Sequence, residues 1–160
     1  RPFWKKLQRA ELHVDEQRLE INGAKVAVIG MGGIGTGAYD KMVALYGDAV
    51  VGVEIDPDTA KSHRSAGKNV LEGDPSDSDF WDRVQSGHTI EQVMLALPNL
   101  STNLAVIEEL KAVGYTGKIA VTAKFPDEVT QLEAAGATSV FNVYTEAGSG
   151  FATHTVQEKV

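Results

Sequence analysis

The sequence predicts an α/β domain, a doubly wound six-stranded parallel sheet with helices on both faces. Three observations lead there. Six short apolar runs recur along the chain, each nearly continuous rather than alternating, as strands buried on both faces require. Amphipathic helical patterns stand between them, so each strand is followed by a crossover. Glycines, 16 in 160 residues, repeatedly close one segment and open the next.

The elements follow in order. Lys25-Val-Ala-Val-Ile29 is a β-branched run ending at Gly30 and reads as the first strand. Ile34, Ala38, Met42 and Leu45 stand at helical spacing and stop at Gly47. Val50 to Val53 is the second strand. Asp56 before Pro57 gives an N-cap and a first-turn proline, and Gly67 marks that helix's end. Val70-Leu71 is a brief third strand, and residues Ser76 to Val84 form a short helix. Val93 to Leu97 is the fourth strand, cut by Pro98. Leu104, Ile107 and Leu110 give a helical face ended by Gly114. Ile119 to Val121 is the fifth strand. Pro126 opens a helix with Val129, Leu132 and Ala135, ended by Gly136. Val140-Phe141 is the sixth strand, and a helical tail runs from Ala147. The expected organisation is a leader over 1–23, one domain over 24–146 and the tail over 147–160.

Composition narrows the function. Lys plus Arg is 15 and Asp plus Glu is 22, a net charge of −7. That balance lacks the basic footprint of a nucleic-acid binder. The absence of cysteine excludes disulfides, thiolate zinc sites and a cysteine nucleophile. No apolar run is long enough to span a bilayer, and no signal-peptide pattern opens the chain. The first residue is Arg1 rather than Met, so a piece of a longer protein is expected.

In doubly wound sheets ligands bind at the carboxyl ends of the strands. There the chain carries Gly30-Met31-Gly32-Gly33-Ile34-Gly35, a G-x-G-x-x-G directly after a strand and opening a helix. Gly30 permits the tight turn, Gly32 lets backbone N–H groups approach a pyrophosphate, and Gly35 lets the helix lie close to the sheet. The first-turn N–H groups attract the anion. Glu54 ends the second strand 19 positions beyond Gly35, followed by Ile55 and Asp56. Its carboxylate can accept from ribose hydroxyls and repels a 2′-phosphate, which favours NAD or a plain adenosine nucleotide over NADP. The bland alternative is a glycine turn with no ligand.

Gly73-Asp74-Pro75 follows the third strand, at the adenine end of such a site; Asp74 either accepts from the adenine amino group or caps the next helix. Leu95, Ala96 and Leu97 can wall the pocket. Asn99 and Asn103 begin the following helix, where capping competes with ligand contact.

Other chemistry is missing. Tyr115 and Lys118 are one residue too close for Tyr-x-x-x-Lys, and there is no G-x-S-x-G, HExxH or Walker lysine. His13, His63, His88 and His154 are scattered and read as surface histidines rather than a metal site. Asp74, Asp77, Asp79 and Asp82 read as a solvated helix start. With no catalytic constellation, no enzyme is expected. The leader differs from the rest: Arg1, Lys5, Lys6 and Arg9 mix with Phe3, Trp4 and Leu7 before Glu11, the first acid. That suits the cytoplasmic edge of a membrane segment, or a helix packing on its own domain.

Taken together, Val26 to Gly35, Val51 to Asp58, Gly73-Asp74-Pro75 and Thr102-Asn103-Leu104 resemble the RCK or TrkA-N domains of potassium-transport regulators. The order and spacing look closest to the cytoplasmic domain of Kef-type potassium efflux systems, over about residues 24 to 145. The resemblance implies a six-stranded Rossmann-like fold that dimerises and binds NAD(H), AMP or a similar adenine nucleotide. It implies a regulatory domain gating a potassium efflux or proton antiport unit at the cytoplasmic face of the inner membrane, with glutathione as a further regulator. By position, Gly30, Gly32 and Gly35 would hold phosphate, Glu54 the ribose and Asp74 the adenine. Family members often carry arginines at the end of the fifth strand, where this chain has Thr122 and Lys124, and any inherited anion or glutathione contact there is in question. The competing readings are a free-standing NAD-dependent oxidoreductase, which lacks a visible catalytic base, and a methyltransferase, whose cofactor site also uses a glycine loop and a strand-end acid.

Overall fold

The structure is a computed structural model that describes residues 23–85 and 88–157. The leader predicted over 1–23 therefore lies, apart from Gly23, outside the described residues. Six strands form one parallel sheet: β1 (Val26–Ile29), β2 (Val50–Glu54), β3 (Val70–Glu72), β4 (Gln92–Leu95), β5 (Lys118–Ala123) and β6 (Ser139–Asn142). Their spatial order is β3-β2-β1-β4-β5-β6. The switch point lies between β1 and β4, where the chain reverses its direction of winding. The helices are α1 (Gly33–Tyr46), α2 (Pro57–Ser65), α3 (Ser78–Gln85), α4 (Leu100–Ala112), α5 (Pro126–Ala135) and α6 (Val143–Gln157).

Alternation along β1 divides the core in two, because successive strand residues point to opposite faces. Val26 and Val28 join Met31, Tyr39, Val50, Ala60 and Val70 under α1 and α2. Ala27 and Ile29 join the larger cluster under α3, α4 and α5, which includes Trp81, Ile107, Leu110 and Leu132. Trp81 is fully buried, stands edge-on to Phe80 and donates its indole N–H to the Pro75 carbonyl. One side chain thus fills the core and fixes the loop after β3.

The segment boundaries depart from the sequence reading in three places. The fourth strand stops at Leu95, not Leu97. The Ala96 N–H still bonds the Ile29 carbonyl, but Pro98 has no donor to continue the ladder. The third helix starts at Ser78, after Asp74 and Asp77 have each closed a local turn with side-chain acceptors. The last helix starts at Val143, because the Asn142 side chain accepts from the Thr145 N–H and acts as its cap. The predicted cap at Asp56 forms, with Oδ2 accepting from the Thr59 N–H at 3.0 Å and the Thr59 hydroxyl at 2.6 Å.

Helix α1 lies unusually close to the sheet. A Cβ on Gly35 would sit 1.6 Å from the Gly30 carbonyl oxygen. Gly35→Ala must therefore push α1 away from β1, at a cost of at least the roughly 1–3 kcal/mol typical of overpacking. Urea unfolding should show that loss; an unchanged midpoint would mean that the approach is not tight.

Candidate functional site

The glycine turn is built from both of its ends. Gly30 has φ of +91°, and a Cβ there would lie 2.9 Å from the Ala96 carbonyl. Gly32, the residue before α1, has an ordinary φ of −78° and no side-chain cap. Added Cβ atoms at Gly32 and Gly33 would meet nothing within 4 Å. The protein itself does not demand glycine at these two positions, and side chains there would fill the cavity they line. The first N–H groups of α1 have no partners within the helix and face this space.

Met31 points the other way. Its side chain is buried beneath Gly52, whose added Cβ would lie 2.8 Å from the Met31 sulfur. The Met31 N–H donates to Glu54 Oε1 at 3.1 Å, and the Asp56 N–H donates to Glu54 Oε2 at 2.9 Å. Glu54 therefore ties the glycine loop to the end of β2. This structural duty was not visible in the sequence. Each carboxylate oxygen accepts one bond here and retains a lone pair for a further donor.

The cavity beside the loop holds about 620 Å³ and runs along the carboxyl ends of the strands. At its β2–β3 end stand Glu54, Ile55, Asp74 and Pro75. Asp74 is exposed, and its Oδ1 accepts from the backbone N–H and hydroxyl of Ser76, which leaves Oδ2 for a further donor. Gly30, Gly32, Gly33 and Ile34 form the middle, against Ala96, Leu97 and Asn103. Asn103 is only 2% exposed; its amide donates to the Leu97 carbonyl at 3.4 Å, and its Oδ1 has no partner among the described residues. Asn99 also lines the cavity while capping α4 through the Thr102 N–H.

Five of the candidate residues do not line it; Leu95, proposed as wall, is buried in the core instead. Met31 and Gly35 support the loop from behind. Asp56 caps α2, and the Thr59 hydroxyl and N–H hold its carboxyl below the usual carboxylate range. Gly73 makes room for the Phe80 ring, 2.5 Å from where its Cβ would be.

Of the far wall the sequence singles out only Thr122 and Lys124, and those through the family resemblance. Thr122, Lys124, Glu128, Val143 and Tyr144 close the cavity from β5, α5 and α6. Parallel register explains them: Leu95 pairs with Val121, so the residues after each strand emerge side by side. Glu128 is held by the N–H groups of Lys124 and Phe125, at 2.8 and 3.3 Å. Tyr144 leans on Phe125, ring centroids 6.2 Å apart. Lys124 is the only lysine or arginine among the lining residues.

The remaining titratable groups lie elsewhere. Tyr115 precedes β5, at the opposite end of the sheet, and bonds the Lys118 carbonyl. Burial, with the Glu91 charge second, pushes its phenol up to about 12, far from a useful base. His63 is half-buried, with Nε2 on the Met31 carbonyl, rather than a free surface histidine. His88 and His154 are exposed, and His13 lies outside the described residues. Among the described residues no three histidines or acids converge as a metal-holding group.

The open cradle, the strand-end carboxylate and the second Asp74 oxygen fit an adenine nucleotide, with N–H donors for phosphate and acceptors for ribose and base. The comparisons with known proteins agree at the level of fold. No curated protein matches this sequence. The chain is similar to the NAD(P)-binding domain of an exopolyphosphatase-related protein from Archaeoglobus fulgidus: TM-score 0.75, 21% identity, covering 84% of this chain and 98% of that one. It is similar to the Kef C-terminal domain of Shewanella denitrificans in its AMP-bound form, with TM-score 0.67, 16% identity, and 82% and 79% covered. The GsuK channel bound to NAD gives TM-score 0.61 at 20% identity, with 74% of this chain and 21% of the channel covered. The TrkA-N domain matches residues 26–143, most of the chain, and this protein belongs to that family.

Proposed function

We propose that this domain is the cytoplasmic regulatory part of a potassium efflux or proton antiport system, in which binding of an adenine nucleotide, NAD(H) or AMP, gates ion transport. The observation that carries this reading is the empty space over Gly32 and Gly33 beside Glu54. The fold leaves both positions free of contacts, and a phosphate needs that freedom. The AMP and NAD held by the Kef and GsuK relatives support the same chemistry. Gly32 and Gly33 would offer N–H groups to phosphate, Glu54 would accept from the ribose, and Asp74 Oδ2 from the adenine amino group. A ligand gates only by binding two states of the assembly unequally. None of the described helices is long and apolar enough to cross a membrane. In this reading ion passage belongs to an attached or partner unit at the inner membrane.

Dimerisation is part of the reading. Helix α6 leaves Tyr144 60% and Phe151 75% exposed, with Ala147 between them on one stripe. A second copy would bury that stripe. Glutathione regulation is the finest part of the reading; Lys124 is the side chain that a glutathione carboxylate would meet. A free-standing NAD-dependent oxidoreductase is the competing assignment, and sustained NADH consumption with carbonyl substrates would decide for it.

Calorimetry with AMP, NAD and NADH tests the core of the proposal. Gly32→Ala should keep the fold and lose at least about tenfold in affinity, since its Cβ fills only ligand space. Glu54→Gln removes a charge-assisted acceptor of roughly 1.5–3 kcal/mol, about 10- to 100-fold in affinity. Because Glu54 also holds Met31, the decisive readout is a ratio: the wild type should prefer NAD to NADP, and Glu54→Gln should narrow that preference. Unchanged affinity in both variants would refute the site. For the dimer, Phe151→Glu should shift sedimentation from two copies to one; a wild type that is monomeric at all concentrations would refute it. Ion efflux from vesicles carrying the intact transporter should change on adding the nucleotide.

A further inference from the structure

Met31 stands between the two glycines of the turn, and its carbonyl accepts two side-chain hydrogen bonds. His63 Nε2, from the last turn of α2, lies 2.8 Å away, and Thr36 Oγ1, from the first turn of α1, lies 3.1 Å away. A carbonyl only accepts, so Nε2 carries the proton. Neither His63 nor Thr36 lines the cavity, whereas Gly32 does. No peptide bond in the described residues is cis. In a planar trans peptide the C=O and N–H point to opposite sides. Holding the Met31 carbonyl toward His63 and Thr36 therefore turns the Gly32 N–H away from them, toward the cavity.

We infer that His63 and Thr36 are positioning residues: together they clamp the Met31 carbonyl so that the Gly32 N–H, and not a carbonyl oxygen, is presented to a ligand phosphate. The inference rests on the nucleotide reading above. The clamp answers a specific hazard. Gly32 and Gly33 follow the peptide directly, and glycines permit its plane to rotate at little cost. A half-turn would exchange a donor for a carbonyl oxygen, which repels an anion. The existing bonds to Glu54 fix only the preceding peptide, through the Met31 N–H. The Met31–Gly32 peptide depends on the two donors behind it.

The test compares AMP with adenosine, which lacks the phosphate. His63→Leu removes the donor. His63→Asn stops one bond short, whereas His63→Gln places an amide nitrogen as many bonds from Cβ as Nε2. Leu and Asn should weaken AMP binding roughly 3- to 10-fold, the worth of one hydrogen bond. Gln should restore it to within about twofold, and adenosine affinity should stay unchanged in all three. Thr36→Val should act in the same direction and serves if His63→Leu does not fold. Equal losses for AMP and adenosine, or Gln no better than Asn, would overturn the clamp and leave a packing role only. Wild-type binding with unaffected variants would remove the clamp and keep the site. A wild type that binds neither compound would remove both.

Discussion

Helix α1 reaches β1 so closely that the Gly30 carbonyl occupies the place where residue 35 would carry a Cβ. Much of the site follows from that contact. The turn between strand and helix has almost no length in which to reverse, so Gly30 takes a positive φ and passes against Ala96 across the switch point. Met31 is driven into the core under Gly52, and Gly32 and Gly33 are left on the outside with nothing above them. The donors of the first helical turn are then held at the carboxyl end of the central strands by the backbone itself. They need no reorganisation to meet an anion, which is the condition under which oriented N–H groups bind best.

How much of this the sequence reveals depends on the range of the interaction. The strands are legible because burial on both faces writes continuous apolar runs, and the Asp56 cap is legible because its partner Thr59 is three residues away. The end of β4 is not, since Ala96 and Leu97 are as apolar as the strand before them. The start of α6 is hidden too: with the tail read from Ala147, nothing local marks Val143 as its beginning until Asn142 is seen capping the turn. The glycine loop and Glu54 announce themselves by spacing. Thr122, Lys124 and Tyr144 do not, because only the register of β4 against β5 brings them to the cavity. His63 looks like one polar residue among several on an exposed helix, and its contact with Met31 spans 32 positions.

The electrostatics of the site are unusual for an anion binder. The chain carries a net charge of −7, and Glu54, Asp74 and Glu128 all line the cavity. All three of these carboxylates are already engaged, Asp74 by the N–H and hydroxyl of Ser76. Glu54 accepts from two backbone N–H groups and Glu128 from two more. Their charge is partly spent on local dipoles, which weakens the repulsion that a phosphate would feel. Attraction then falls to neutral N–H groups at short range, with Lys124 on the far wall. Such a site would discriminate by geometry rather than by net charge, as the proposed binding of adenylates among many cellular anions requires.

The shape of the cavity bears on how occupancy could be felt outside it. Its two ends belong to different parts of the fold. Glu54 and Asp74 sit beyond the well-covered strands β2 and β3, whereas Val143 and Tyr144 open α6. The β6 edge has no fully buried residue, and α6 lies mostly exposed beside it. A ligand that touched both ends would meet the well-covered strands at one side and the root of a mostly exposed helix at the other. Any difference in its affinity between two positions of α6 would then bias that helix directly, with no long relay through the core. The apolar stripe on α6 would carry the same bias into a neighbouring copy. In the proposed reading the nucleotide would act at the root of α6, beside the face where a second copy is proposed to dock.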